Sequence, residues 1–191
     1  MTYKDGEYWD GKYIRYWYEN GQKSSEDTYK DGKKDGLWTD WYENGQKSSE
    51  NTYKDGKKDG LWTDWYENGQ KKSEGTYRNG KEDGLFTEWY SNGQKWMEIT
   101  YKDDELDGLW TWWYENGQKS WEYTYKDGEP DGKWTMYYKN GQIKEEGNFK
   151  DGQGINYYEN GQIKEISGGN RECWDEDGNE CKCRFWSTGC K

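Results

Sequence analysis

The sequence predicts an all-β protein: an elongated antiparallel meander, or solenoid, of about seven stacked β-hairpins with a short cysteine-bearing C-terminal cap. Three observations lead there. The tripeptide Asn-Gly-Gln begins at Asn20, Asn44, Asn68, Asn92, Asn116 and Asn140, 24 residues apart each time, and once more at Asn160 after 20. Fixed self-similarity at this period marks a repeat architecture. The chain has no Ala and 26 Gly in 191 residues, which argues against helices, since Ala is the best helix former and Gly among the worst. Apolar residues make up only 29%, but 37 residues are Trp, Tyr or Phe. Each such ring can bury on the order of 150–250 Å², so aromatic ladders replace the usual aliphatic core.

Each unit reads as a hairpin. In the second, Asn44-Gly45 lies between two short runs rich in aromatics and Thr, the signal for a two-residue type I′ turn. That turn makes Tyr42 face Lys47. Alternation then places Trp38, Asp40, Tyr42, Lys47, Ser49, Asn51 and Tyr53 on one face, A. Leu37, Thr39, Trp41, Ser48, Glu50 and Thr52 fall on the other, B. A longer connection, Tyr53 to Gly60, leads to the next hairpin, with Asp-Gly pairs suited to positive φ. The first repeat carries extra residues around Glu7 to Tyr13, and the last is shortened between Phe149 and Gly161. Atypical end units suit capping. The reading divides the chain into a repeat array, 1–166, and a cap, 167–191.

The phrase GLWTDWYENGQ, from Gly36 to Gln46, resembles the MORN repeat, and specifically the bacterial variant repeats of the YwqK-like antitoxin family. The resemblance covers Tyr3 to about Ile166, and the tail ECWDEDGNE is similar to the acidic hairpin that ends many such proteins. It implies a non-enzymatic hairpin scaffold used for protein–protein interaction, with an antitoxin-like role.

Comparison among the repeats separates building blocks from site. Trp38, Trp62, Phe86, Trp110 and Trp134 recur at one position, the Tyr42 and Tyr53 series at two more, and the Trp41 and Glu50 series on face B. Positions present in every unit serve stacking. Three face A positions depart: Asp40 and Asp64 become Glu88, Trp112 and Met136; Ser49 and Ser73 become Met97 and Trp121; Asn51 and Gly75 become Ile99 and Tyr123. Met97, Ile99, Trp112, Trp121, Tyr123 and Met136 are therefore expected to form one apolar patch, with Trp110, Tyr114 and Tyr125 filling its gaps. An exposed patch of that size marks an interface, and Trp and Tyr are enriched at hot spots.

The net charge of −11, from 39 acidic and 28 basic residues, lacks the basic stripe that nucleic acid needs and disfavours anionic membranes. No apolar run is long enough to span a bilayer. The start lacks the regions of a signal peptide, so the expectation is a cytoplasmic chain. Cys173, Cys181, Cys183 and Cys190 cluster near the end. A three-residue turn, Glu176 to Gly178, would set Cys173 opposite Cys181, within disulfide reach. Three pairings stay open, and disulfides would point to an extracellular setting. Their spacing fits no common zinc pattern. Asp175, Asp177 and Asn179 imitate a calcium loop, but Gly178 comes two positions early and Trp186 stands where Glu is required, so a turn is expected. With no His to act as base near neutrality and no phosphate-binding loop, neither an enzyme nor a cofactor is expected. Two other functions fit the residues: a self-assembling structural protein, and a carbohydrate- or choline-binding aromatic module.

Overall fold

The computed structural model describes residues 2–17, 19–150, 152–168, 171–184 and 187–190. They hold twenty-two strands and no helix. The chain divides into two compact units, Met1–Lys95 with Thr100–Glu105, and Trp96–Ile99 with Leu106–Lys191. Within each, successive strands pair antiparallel.

The turns correct the expected geometry. At the Asn44 end the Tyr42 N–H donates to the Gln46 carbonyl (2.9 Å), and the Gly45 N–H to the Tyr42 carbonyl (2.9 Å). Only Gly45 of the pair has positive φ, at 84°. A type I′ turn needs both central residues there, so the loop is the three-residue Glu43-Asn44-Gly45. The asparagine explains the choice. Its Oδ1 accepts from the Gln46 N–H (2.9 Å) while its Nδ2 donates to the Glu67 carbonyl of the next repeat (2.9 Å). Asn20, Asn68, Asn116 and Asn160 repeat both contacts within their units.

The two-residue type I′ turn sits at the other end. Asp55 and Gly56 have φ of 49° and 83°, and Lys54 pairs directly with Lys57.

An extra loop residue would send every following side chain to the wrong face. A bulge cancels it: Trp41 pairs with Lys47, but Asp40 pairs with Ser49 and Trp38 with Asn51, as expected from alternation. The correction falls on Lys47, which lies on face B, where it pairs with Glu50. Tyr42 leaves the ladder too. Its hydroxyl donates to the Trp65 carbonyl one repeat on (2.6 Å), and Tyr66, Tyr138 and Tyr158 do the same.

Face A of the first unit is a ring ladder. Tyr29, Trp38, Tyr53, Trp62, Tyr77, Phe86 and Tyr101 follow one another at centroid separations of 5.1 to 5.7 Å. Such pairs contribute ~0.5–1.5 kcal/mol each beyond their area. Face B of the same unit buries Thr39, Thr63 and Thr87 beside the pairs Lys23–Glu26, Lys47–Glu50 and Lys71–Glu74. In the second unit Thr111 is buried likewise, and Lys119 pairs with Glu122.

Candidate interaction surface

The second unit carries most of the aromatic departures. Met97, Trp112, Trp121 and Met136 stand opposite one another on successive strands, and the row continues through Glu145 and Asn156. A second row runs Trp110, Tyr123, Trp134, Gly147. Gly147 is there for space, because a Cβ would come within 2.6 Å of the Trp134 ring and of the Gln153 carbonyl oxygen.

The rings interlock. Trp110 stacks on Trp112 with centroids 4.0 Å apart, Trp112 meets Trp121 edge-on at 5.8 Å, and Tyr123 touches both Trp121 (5.6 Å) and Trp112 (6.3 Å). Trp110 does this while keeping its ladder contact with Tyr125. Trp38 and Trp62 donate their indole N–H to the Thr28 and Thr52 carbonyls, whereas the buried Trp110 Nε1 has no acceptor.

Not every expected member presents surface. Ile99 is 2% exposed and forms floor, not contact area. Tyr125 packs on Trp110 at 5.6 Å. Tyr114 belongs to the stacked turns, its hydroxyl donating to the Tyr137 carbonyl (2.8 Å), so it fills no gap. The outermost rings are Trp121, 43% exposed, and Phe149, 42%. Phe149 stacks on Tyr123 at 5.9 Å. It escaped the sequence reading although it continues the Tyr53, Tyr77, Tyr101, Tyr125 series at the 24-residue spacing; a change from Tyr to Phe hid it.

One carboxylate, Glu145, borders the surface. Burial raises the Tyr123 phenol above its usual value, with Tyr125 and Glu145 adding to the shift. In the first unit Lys34 lies over Trp38 and Tyr53 (4.0 and 4.7 Å), and Lys58 over Trp62 and Tyr77 (3.8 and 4.4 Å). The corresponding positions in the second unit are Leu106 and Pro130, which cannot supply a cation.

In the cap, Asp175 to Asn179 forms the expected turn, the Asp175 carboxylate accepting the Asp177 and Asn179 N–H groups. Cys173 pairs in register with Cys181, yet its disulfide is to Cys183. The Cα atoms of Cys173 and Cys183 lie 5.4 Å apart, inside the range a disulfide spans. Cys181 is disulfide-bonded as well. The Cys190 side chain lies outside the described residues. Among the described residues no group of three Cys, Asp or Glu is placed to hold a metal.

Stacked turns, recurring ring ladders and a locally altered face define a tandem hairpin-repeat scaffold. The MORN repeat variant model matches residues 11–31, 34–55, 58–79, 82–103, 106–127, 130–151 and 150–167. The chain belongs to the MORN repeat variant family. Repeats of this kind commonly serve as binding modules for proteins or membranes. No curated protein matches the chain.

Proposed function

We propose that this protein is a non-enzymatic scaffold that binds a protein partner through the Trp112–Trp121–Tyr123–Phe149 surface, with Met97 and Met136 at its margins. The observation that carries the reading is the exposure of Trp121 and Phe149 at the top of an interlocked ring cluster. Large rings that keep nearly half their surface in water while packed on rigid neighbours are suited to act as interface anchors. The antitoxin-like form of this role, direct neutralisation of a toxin, rests on family resemblance, and the net charge of −11 favours a basic partner through electrostatic steering.

Light scattering on size-separated protein over a wide concentration range, with Trp112→Ser and Trp121→Ser alongside, tests it. A parent that stays monomeric keeps the surface free for a different protein. Concentration-dependent dimers or filaments abolished by either substitution would replace this reading with self-assembly.

A further inference from the structure

In the first unit another row crosses seven neighbouring strands. Arg15 pairs with Ser25, Ser25 with Asp40, and the sequence continues through Ser49, Asp64, Ser73 and Glu88. Serine and acid alternate, so Asp40, Asp64 and Glu88 recur on every second strand, ~9.6 Å apart at the usual strand spacing. Ser49 and Ser73 donate to Asp40 and Asp64 at 2.9 Å. None of the three acids forms an ion pair among the described residues; Lys72 acts on Glu88 only at longer range.

Stacking does not require this chemistry, because Trp112, Trp121 and Met136 hold the equivalent positions in the second unit. Two buried oxygens beside the row are also unsatisfied. Asp27, whose side chain is 4% exposed, leaves Oδ1 without a partner, and so does Asn51 Oδ1.

At the head of the row an arginine stands where the acids stand further on. Arg15 donates from Nε to Ser25 Oγ (2.6 Å) and from Nη2 to Asp27 Oδ2 (2.8 Å). One guanidinium thus spans a serine and a carboxylate with two separate donors of its rigid fork. Arg15 remains 61% exposed in an open cleft of about 750 Å³ that it shares with Asp40, Glu43 and Glu67. Beyond it the Asp27 position becomes Asn51 and then Gly75, and the serine–acid pairs lie within the row itself, Ser49 with Asp40 and Ser73 with Asp64, with no arginine on them.

We propose that this row is a docking track for an extended, arginine-bearing segment of a partner protein, with its arginines three residues apart. A polyproline II segment has three residues per turn and rises ~3.1 Å per residue, returning a side chain to one face every ~9.3 Å. That matches the ~9.6 Å between successive acids. Asp40, Asp64 and Glu88 would each receive one guanidinium, in continuation of Arg15.

The test uses the full chain and fluorescently labelled peptides, read by anisotropy at low and at physiological salt. The first peptide is four Arg-Pro-Pro units; the second has the same composition with its four arginines adjacent; the third carries Lys in place of Arg. The spaced arginine peptide is expected to bind roughly tenfold tighter than either control. Asp40→Asn and Asp64→Asn, near-isosteric and checked by melting curve, each weaken it roughly two- to fivefold, and Glu88→Gln acts in the same direction. Trp121→Ser in the second unit leaves this binding unchanged, which separates the track from the aromatic surface. Equal binding of spaced and adjacent arginines, affinity unmoved by the acid substitutions, or no binding at all would overturn the proposal.

Discussion

Trp112 and Trp121 stand opposite each other on neighbouring strands, ring centroids 5.8 Å apart and planes at 72°. The two differ in what else they touch. Both touch Tyr123, but Trp112 is also stacked on Trp110, whereas Trp121 keeps 43% of its surface in water. Trp112→Ser should therefore destabilise the second unit by about 2–3 kcal/mol, below the full cost of ~3–5 for truncating a buried Trp. Trp121→Ser should cost less, about 1–2 kcal/mol, since its two ring pairs at ~0.5–1.5 each are partly in water. Chemical denaturation of both variants gives the comparison, and equal losses would contradict the arrangement.

Gly147 offers a steric test. Its Cβ would meet the Trp134 ring and the Gln153 carbonyl oxygen, each at 2.6 Å, and a main-chain oxygen cannot swing aside. Gly147→Ala is expected to cost about 1–3 kcal/mol through overpacking. Gly128, with nothing within 4 Å of its Cβ position, provides the contrast: Gly128→Ala carries only the penalty of its positive φ of 81°. A larger loss at Gly128 than at Gly147 would refute the packing account.

The stacked turns predict a graded series at Asn44. Asn44→Ala removes the acceptor for the Gln46 N–H and the donor to the Glu67 carbonyl, a loss of about 1–2 kcal/mol at ~0.5–1.5 per hydrogen bond. Asn44→Asp retains the first but turns a charged oxygen toward the Glu67 carbonyl in place of the donor, so at neutral pH it should cost at least as much as the alanine variant. Urea titration at neutral pH orders the three.

Two tyrosines should shape the alkaline limb of stability. Tyr137 donates to Glu122 and Tyr157 to Glu146, both at 2.5 Å. Burial first, then those hydrogen bonds, push each phenol up to about 12. A raised folded-state value favours the protonated form, so the stabilisation is complete below about pH 10, the unfolded phenol value. It is lost as pH rises from there to about 12, where the unfolded chain has released protons the native state still holds. Tyr137→Phe and Tyr157→Phe should flatten the fall in melting temperature across pH 10–12. An unchanged slope would show that these phenols titrate normally.

The cap depends on its disulfide. Cys173 is almost fully buried and bonded to Cys183. Reductant, or Cys183→Ser, should loosen the chain after Ser167 while leaving the repeats folded. Hydrogen exchange resolved along the chain would show increased exchange confined to the last two dozen residues; loss of protection throughout would mean the cap holds the array together.

Much of this was legible because the same 24 residues are written again and again. Repetition exposed the hairpin unit, the ring ladder and the face on which Trp112, Trp121 and Met136 replace acids and serines. Register was legible too, from Trp38 against Asn51 outward, since a two-residue loop and a three-residue loop with a bulge arrive at the same pairing. The swap of turn types was not. Asn-Gly and Asp-Gly carry nearly the same local preference, and only the contact from Asn44 to the next repeat's Glu67 carbonyl decides between them. Lys47 changed faces for that reason. Ile99 became floor because burial depends on what neighbouring strands bring over a residue, and Trp110 stacks on Trp112 with its indole N–H left without an acceptor. By itself the sequence determined the unit, its strands and which positions vary, because those follow from period and side-chain type. The tertiary structure alone decided turn geometry, exposure and disulfide partner, because each depends on atoms that a neighbouring strand or repeat brings within a few ångströms.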